Sequence, residues 1–94
     1  MQLNGKTVVV TGGAQGIGAA LSRRFAAAEA NVVVADLDAS ASQAVAAQFG
    51  GLGVACDVTS EEQIQQLVAS TQAKFGAIDL FCSNAGVCLG EPDL

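Results

Sequence analysis

The residues of this chain best suited to chemistry fall into four short groups, each rich in glycine, small residues or a single acid. They are Thr11-Gly12-Gly13-Ala14-Gln15-Gly16-Ile17-Gly18, Asp36-Leu37, Asp57-Val58 and Asn84-Ala85-Gly86. None is a proton-transfer set; together they suit the holding of a phosphorylated ligand. In the spacing Gly12-x-x-x-Gly16-x-Gly18, Gly12 permits a tight turn off a strand and Gly16 lets backbone approach a pyrophosphate. Gly18 lets the following helix pack closely on a sheet. A helix beginning here presents free N–H groups and partial positive charge to an anion. Glycine-rich turns also serve packing alone, so the turn by itself leaves both roles open. A P-loop is excluded, because Gly18 is followed by Ala19-Ala20 where that motif needs Lys and Ser or Thr.

Asp36 lies eighteen residues beyond Gly18 at the end of an apolar run, where an acid accepts hydrogen bonds from the hydroxyls of an adenosine ribose. A polar strand end or a helix cap is the alternative. An acid here repels a 2′-phosphate, and the neighbouring Gln15 and Leu37 offer no cation to hold one, so NAD is favoured over NADP. Asp57 can meet an adenine amino group while Val58 lies against the ring; capping the next helix is the competing role for Asp57. Asn84 can bridge strand ends, and Ala85 and Gly86 leave room for a bound nucleotide.

These groups must be positioned by alternating strands and helices. Thr7–Thr11 is β-branched and almost wholly apolar, as a strand buried on both faces would be. Ile17, Leu21, Phe25 and Ala28 then recur at helical spacing. Asn31–Ala35 predicts a second buried strand, Ser40–Phe49 a second helix ending at Gly50-Gly51, and Leu52–Cys56 a shorter third strand. Two overlapping capping boxes, Thr59 to Glu62 and Ser60 to Gln63, start a third helix with Ile64, Leu67, Val68, Thr71 and Phe75 on one face. Gly76 stops it, and Ile78–Ser83 is a fourth strand; the tail after Asn84 has no period. Right-handed βαβ crossovers then predict an α/β fold, a partial Rossmann-type doubly wound parallel sheet of order 3-2-1-4 with three helices. The first two helices are expected on one face and the third on the other.

Composition narrows the class. With 94 residues the chain makes at most one domain, and 51% hydrophobic against 14% charged residues excludes a disordered chain. Nine acids against four bases argue against a nucleic-acid partner. No apolar run is long enough to span a membrane, and Met1–Lys6 carries no signal peptide, so a cytoplasmic protein is expected. Cys56, Cys82 and Cys88 are irregularly spaced and there is no histidine, so no metal site is expected and all three cysteines read as small hydrophobes.

Taken together, the four groups resemble the short-chain dehydrogenase/reductase family. Thr11–Gly18 matches its Thr-Gly-x-x-x-Gly-x-Gly turn, Asp36 its NAD-selecting acid, Asp57-Val58 its adenine contact and Asn84-Ala85-Gly86 its Asn-Ala-Gly motif. The resemblance runs in order from about Gly5 to Gly86. It implies an NAD(H)-binding half, residues 1–94, of an oxidoreductase that interconverts secondary alcohols and ketones by hydride transfer. It also implies a homo-oligomeric parent, with Gly12, Gln15, Gly16, Ile17, Gly18, Asp36, Leu37, Asp57, Val58, Asn84, Ala85 and Gly86 against the cofactor.

The departure from the family is in catalysis. The family uses a Tyr as general acid/base, a Lys four residues later, and a Ser and Asn in a proton relay. This sequence has no tyrosine, so no catalytic residue is assigned in it. The chain is therefore expected to be the first portion of a longer enzyme, non-catalytic alone, with the far edge of its fourth strand unpaired. The alternatives are a non-catalytic nucleotide-binding or assembly module and, disfavoured by its tighter glycine spacing, an S-adenosylmethionine-dependent methyltransferase.

Overall fold

The computed structural model describes residues 2–83 and the backbone of residues 88–90. Strands and helices alternate as β1 (Thr7–Thr11), α1 (Gly16–Ala27), β2 (Asn31–Asp36), α2 (Ala39–Ala47), β3 (Leu52–Ala55), α3 (Glu61–Phe75) and β4 (Leu80–Cys82), followed by β5 (Cys88–Gly90). They form one sheet of order β3-β2-β1-β4-β5. The first four strands are parallel and in the expected order, and helices α1 to α3 are the three predicted.

The fifth strand corrects one expectation. β5 runs antiparallel to β4, with Leu80, Phe81 and Cys82 opposite Gly90, Leu89 and Cys88, so the far edge of β4 is paired. Three residues without periodicity sufficed, because a short edge strand needs backbone groups rather than an apolar pattern. Cys82 is fully buried and disulfide-bonded, which corrects its reading as a plain small hydrophobe. Irregular cysteine spacing did not anticipate a disulfide. Cys56 is free and buried, as a small hydrophobe should be.

The valine runs work because both faces of the central strands are covered. Val8, Val10, Val32 and Val34 point to the side of α1 and α2, where Val45, Ala46, Leu21, Phe25 and Phe49 pack on them. Val9, Val33 and Ala35 point the other way, to Leu67 with Ile64 and Phe75 on α3. Successive side chains on a strand face opposite sides, so an unbroken apolar run serves two cores at once. Each fully buried side chain of this size contributes about 1.5–3 kcal/mol of transfer free energy.

The face of α3 is as predicted; that of α1 is so in part, with Leu21 and Phe25 packed on the core and Ile17 and Ala28 outside it. Ile17 is 73% exposed, and Gly18, Ala19 and Ser22 are the buried positions of α1. The Ser22 hydroxyl donates to the Gly18 carbonyl at 2.9 Å, so a polar residue that periodicity did not mark is buried beside Leu21. Small residues here let α1 sit close to the sheet. Among the described residues no helix is long and apolar enough to cross a membrane.

Candidate functional site

The chain turns back at β1: β2 and β3 are laid down on one side of it and β4 on the other. In a doubly wound sheet this switch point opens a crevice at the carboxyl ends of the strands. Here a cleft of about 540 Å³ occupies it, lined by Thr11, Gly12, Gln15, Asp36, Leu37, Cys56, Asp57, Val58, Thr59 and Ser83. Strand ends and the turns after them thus gather residues up to seventy-two positions apart in sequence.

The glycine turn is fixed by its backbone. Gly12 has φ +64, and Gly13 N–H donates to the Ala35 carbonyl at 3.1 Å. A Cβ on Gly18 would fall on the Gly12 carbonyl oxygen, well inside contact distance. Gly18 is therefore a close-approach glycine as expected, with the turn itself rather than the strand plane as the surface it meets. Gly13, given no role by its spacing, is another: a Cβ there would lie 2.7 Å from the Val10 carbonyl oxygen. Gly16 differs, because φ is +54 and an added Cβ would meet nothing within 4 Å. The space beside Gly16 is open, as a ligand-facing backbone requires.

The start of α1 is also distinct from the other helix starts. Asp38 caps α2 by accepting from Ala41 N–H at 3.0 Å, and Ser60 caps α3 by accepting from Gln63 N–H at 3.3 Å. At α1 the N-cap is Gln15, which makes no side-chain cap bond. The first amides of a helix have no intrahelical acceptor. Those of α1 receive no side-chain cap, and they stand at the positive end of the helix dipole.

Asp36 closes the opposite side. Its Oδ2 accepts from Ala14 N–H at 3.2 Å and its Oδ1 from Asp38 N–H at 3.4 Å, so the carboxylate is held at the end of β2 against the glycine turn. Leu37 and Val58 are 75% and 56% exposed, and among the described residues they and Ile17 are the large apolar side chains left open to solvent. Two of the three, Leu37 and Val58, line the cleft. Ile17 belongs to the α1 turn but is not among the lining residues.

Asp57 is not the cap of α3; Ser60 is. Its Oδ1 instead accepts from Thr59 N–H at 2.9 Å and from the Thr59 hydroxyl at 2.6 Å. The hydroxyl bond first and the amide bond second hold the Asp57 carboxyl below the usual carboxylate range. Beside it, burial and then the Asp57 charge push the Cys56 thiol up, which keeps it a neutral packing residue. The Thr11 hydroxyl donates to the Cys82 carbonyl at 3.3 Å and ties the ends of β1 and β4 together under the cleft.

Of the residues expected at the site, Gly12, Gln15, Asp36, Leu37, Asp57 and Val58 are brought together in one cleft, with Gly16 and Gly18 in the turn that borders it. Asn84, Ala85 and Gly86 lie outside the described residues. Thr11, Cys56, Thr59 and Ser83 also line the cleft, although the sequence marked Thr11 only as part of the turn motif and Thr59 only as a helix cap. Each stands at a strand end or one or two residues beyond an acid, a signal visible only once the strand ends are known to converge.

A sheet whose first four strands are parallel, with a glycine turn and strand-end acids around its switch point, defines an α/β protein of the doubly wound class. Comparison with known proteins makes this specific. The short chain dehydrogenase family model matches residues 6–93, and the chain belongs to that family. It is 40% identical over 89 residues to an uncharacterized oxidoreductase of Mycobacterium bovis, covering 90% of this chain and 36% of that protein. It is 40% identical over 92 residues to tropinone reductase-like 2 of Erythroxylum coca, covering 96% of this chain and 34% of the relative. It is 45% identical over 87 residues to a 2,5-dichloro-2,5-cyclohexadiene-1,4-diol dehydrogenase of Sphingobium indicum, covering 90% and 35%. The 3-ketoacyl-(acyl-carrier-protein) reductase of Brucella melitensis, solved with NADH, superposes with a TM-score of 0.82 at 34% identity, over 84% of this chain and 34% of that one. The chain spans about a third of the length of the relatives it matches.

Proposed function

We propose that this chain is the NAD(H)-binding part of a short-chain oxidoreductase that interconverts a secondary alcohol and a ketone. One observation carries the reading. The uncapped amino end of α1 adjoins the same cleft as two strand-end carboxylates, Asp36 and Asp57. Donors without acceptors beside Gly16 suit a pyrophosphate, and acceptors at Asp36 suit ribose hydroxyls. Leu37 and Val58 supply apolar surface for a base. The open space at Gly16 and the free helix amides fit a dinucleotide, and the NADH carried by the Brucella reductase is consistent with it.

When bound, the nicotinamide supplies the hydride-transfer chemistry. The residues of this chain bind and orient the adenosine end and the phosphates. Asp36 excludes a 2′-phosphate by charge and by occupying the hydroxyl position, so NAD(H) is the proposed cofactor rather than NADP(H). No tyrosine or histidine is present to move the substrate proton, so that step belongs to residues outside this sequence in the parent enzyme.

Calorimetric titration of the parent enzyme with NADH and NADPH tests the reading. Tight NADH binding that is lost in Gly16→Val supports it; no binding of either dinucleotide overturns it.

A further inference from the structure

The turn between β3 and α3 contains an arrangement that the helix start does not require. Ser60 already caps α3, and the Ser60 N–H is satisfied by the Asp57 carbonyl at 3.0 Å. In a complete capping box Gln63 would reach back to that Ser60 N–H. Its Oε1 instead accepts from Asp57 N–H at 2.8 Å. Asp57 is thus held through its amide by Gln63, through its carbonyl by Ser60, and through its carboxylate by both donors of Thr59. Both Thr59 bonds fall on the same oxygen, Oδ1. Among the described residues Oδ2 accepts none, and Asp57, Val58 and Thr59 all line the cleft.

We infer that Thr59 is a positioning residue for nucleotide-base selection: it orients Asp57 as a fixed acceptor, so the site prefers a 6-aminopurine over a 6-oxopurine dinucleotide. The inference rests on the nucleotide-binding reading above and adds a selective device to it. The chemistry is one of matching donors. An exocyclic amino group donates to a carboxylate oxygen, whereas a 6-oxo group places a lone pair against it. A carboxylic acid could meet the oxo group by donating its proton. Asp57 has no such proton at neutral pH, as for any exposed carboxylate, and what Thr59 adds is the fixed orientation of its oxygens. A free carboxylate on an exposed turn would also rotate between both arrangements; two donors on one oxygen remove that freedom.

The test is the ratio of dissociation constants for NADH and reduced nicotinamide hypoxanthine dinucleotide, measured by calorimetry on the parent enzyme. Wild type is expected to prefer NADH. Thr59→Ala removes the 2.6 Å bond and is expected to lower that preference roughly 2- to 12-fold, the range for one hydrogen bond, mainly by weakening NADH. Thr59→Ser keeps the hydroxyl and restores the preference. Thr59 is exposed, so neither variant disturbs the core. Equal weakening of both dinucleotides in Thr59→Ala would show a merely structural turn and overturn the inference, as would an unchanged ratio. Asp57→Ala separates the two levels. If it leaves the ratio unchanged, Asp57 does not read the base and the inference falls. If it abolishes the preference while Thr59→Ala does not alter it, Asp57 reads the base unaided. If neither dinucleotide binds to wild type, the nucleotide-binding reading itself falls.

Discussion

Gly16 and Gly18 stand two residues apart in one turn, yet the structure gives them opposite tasks that substitution can separate. A Cβ at Gly18 would sit on the Gly12 carbonyl oxygen and 2.7 Å from the Gly12 carbonyl carbon. That carbon would have to recede by roughly 0.8 Å to reach the ~3.5 Å of ordinary contact. It cannot do so freely, because the turn is anchored by Gly13 N–H on Ala35 and by Ala14 N–H on Asp36. Overpacking against a held backbone costs about 1–3 kcal/mol, and a backbone oxygen as the obstacle places Gly18→Ala at the upper end. At about 2–4 °C per kcal/mol for a parent roughly three times this length, Tm should fall by roughly 6–12 °C. Gly16 has open space and only its φ of +54 to protect, so Gly16→Ala costs about 1–2 kcal/mol of left-handed strain. Gly16→Asn removes most of that strain, since Asn tolerates this conformation, but still stands a side chain beside the α1 amides. The assay is a pair of measurements on the parent enzyme: thermal unfolding, and calorimetric titration with NADH. Gly16→Asn should melt within a few degrees of wild type and lose NADH binding, whereas Gly18→Ala should melt far below both. If Gly16→Asn bound NADH like wild type, or if Gly18→Ala were no less stable than Gly16→Ala, the division between ligand-facing and packing glycine would be wrong.

Asp36→Ala should weaken NADH by about 1–3 kcal/mol, the scale for hydrogen bonds to a charged group, and weaken NADPH far less because repulsion is relieved. Titration of both dinucleotides checks this, and equal affinities in wild type would refute the selectivity argument. The 94-residue chain alone should produce no NADH from any secondary alcohol, because it has neither Tyr nor His; steady turnover by pure protein in an absorbance assay would refute it. Glu29 holds φ +68 at the end of α1, with its carboxylate accepting from the exposed Asn4 amide at 2.9 Å. Glu29→Gly should relieve about 1 kcal/mol of strain at little cost and raise Tm, with no change in NADH affinity. The Asp57 carboxyl is depressed by its Thr59 bonds, so their stabilisation is present above the ordinary carboxylate value of about 3.9 and fades as acid protonates Asp57. The Tm gap between wild type and Asp57→Ala should accordingly narrow as pH falls below about 3.9.

The sequence by itself determined the architecture, because the signals were local and redundant. Short valine runs of strand length read as strands buried on both faces, and Ser60, the 64-67-68-71-75 apolar face and Gly76 mark α3 from start to stop. Thr11–Gly18 and Asp36 were legible for the same reason: a turn type and a strand end are properties of a few neighbouring residues. Tertiary structure alone decided that Gly18, Ala19 and Ser22 are buried in α1 and Ile17 is not, since the glycine turn folds back onto the start of the helix. It decided that β5 returns antiparallel on β4 and that Cys82 is disulfide-bonded, neither of which spacing encodes. It also decided the task of Asp57. Two capping registers were open in the sequence, and only the folded turn shows Ser60 taking the helix amide while Thr59 and Gln63 close on Asp57. A hydrogen bond needs a donor and an acceptor at one place. For residues several positions apart, the packing of α3 against the sheet creates that place, and sequence spacing alone does not.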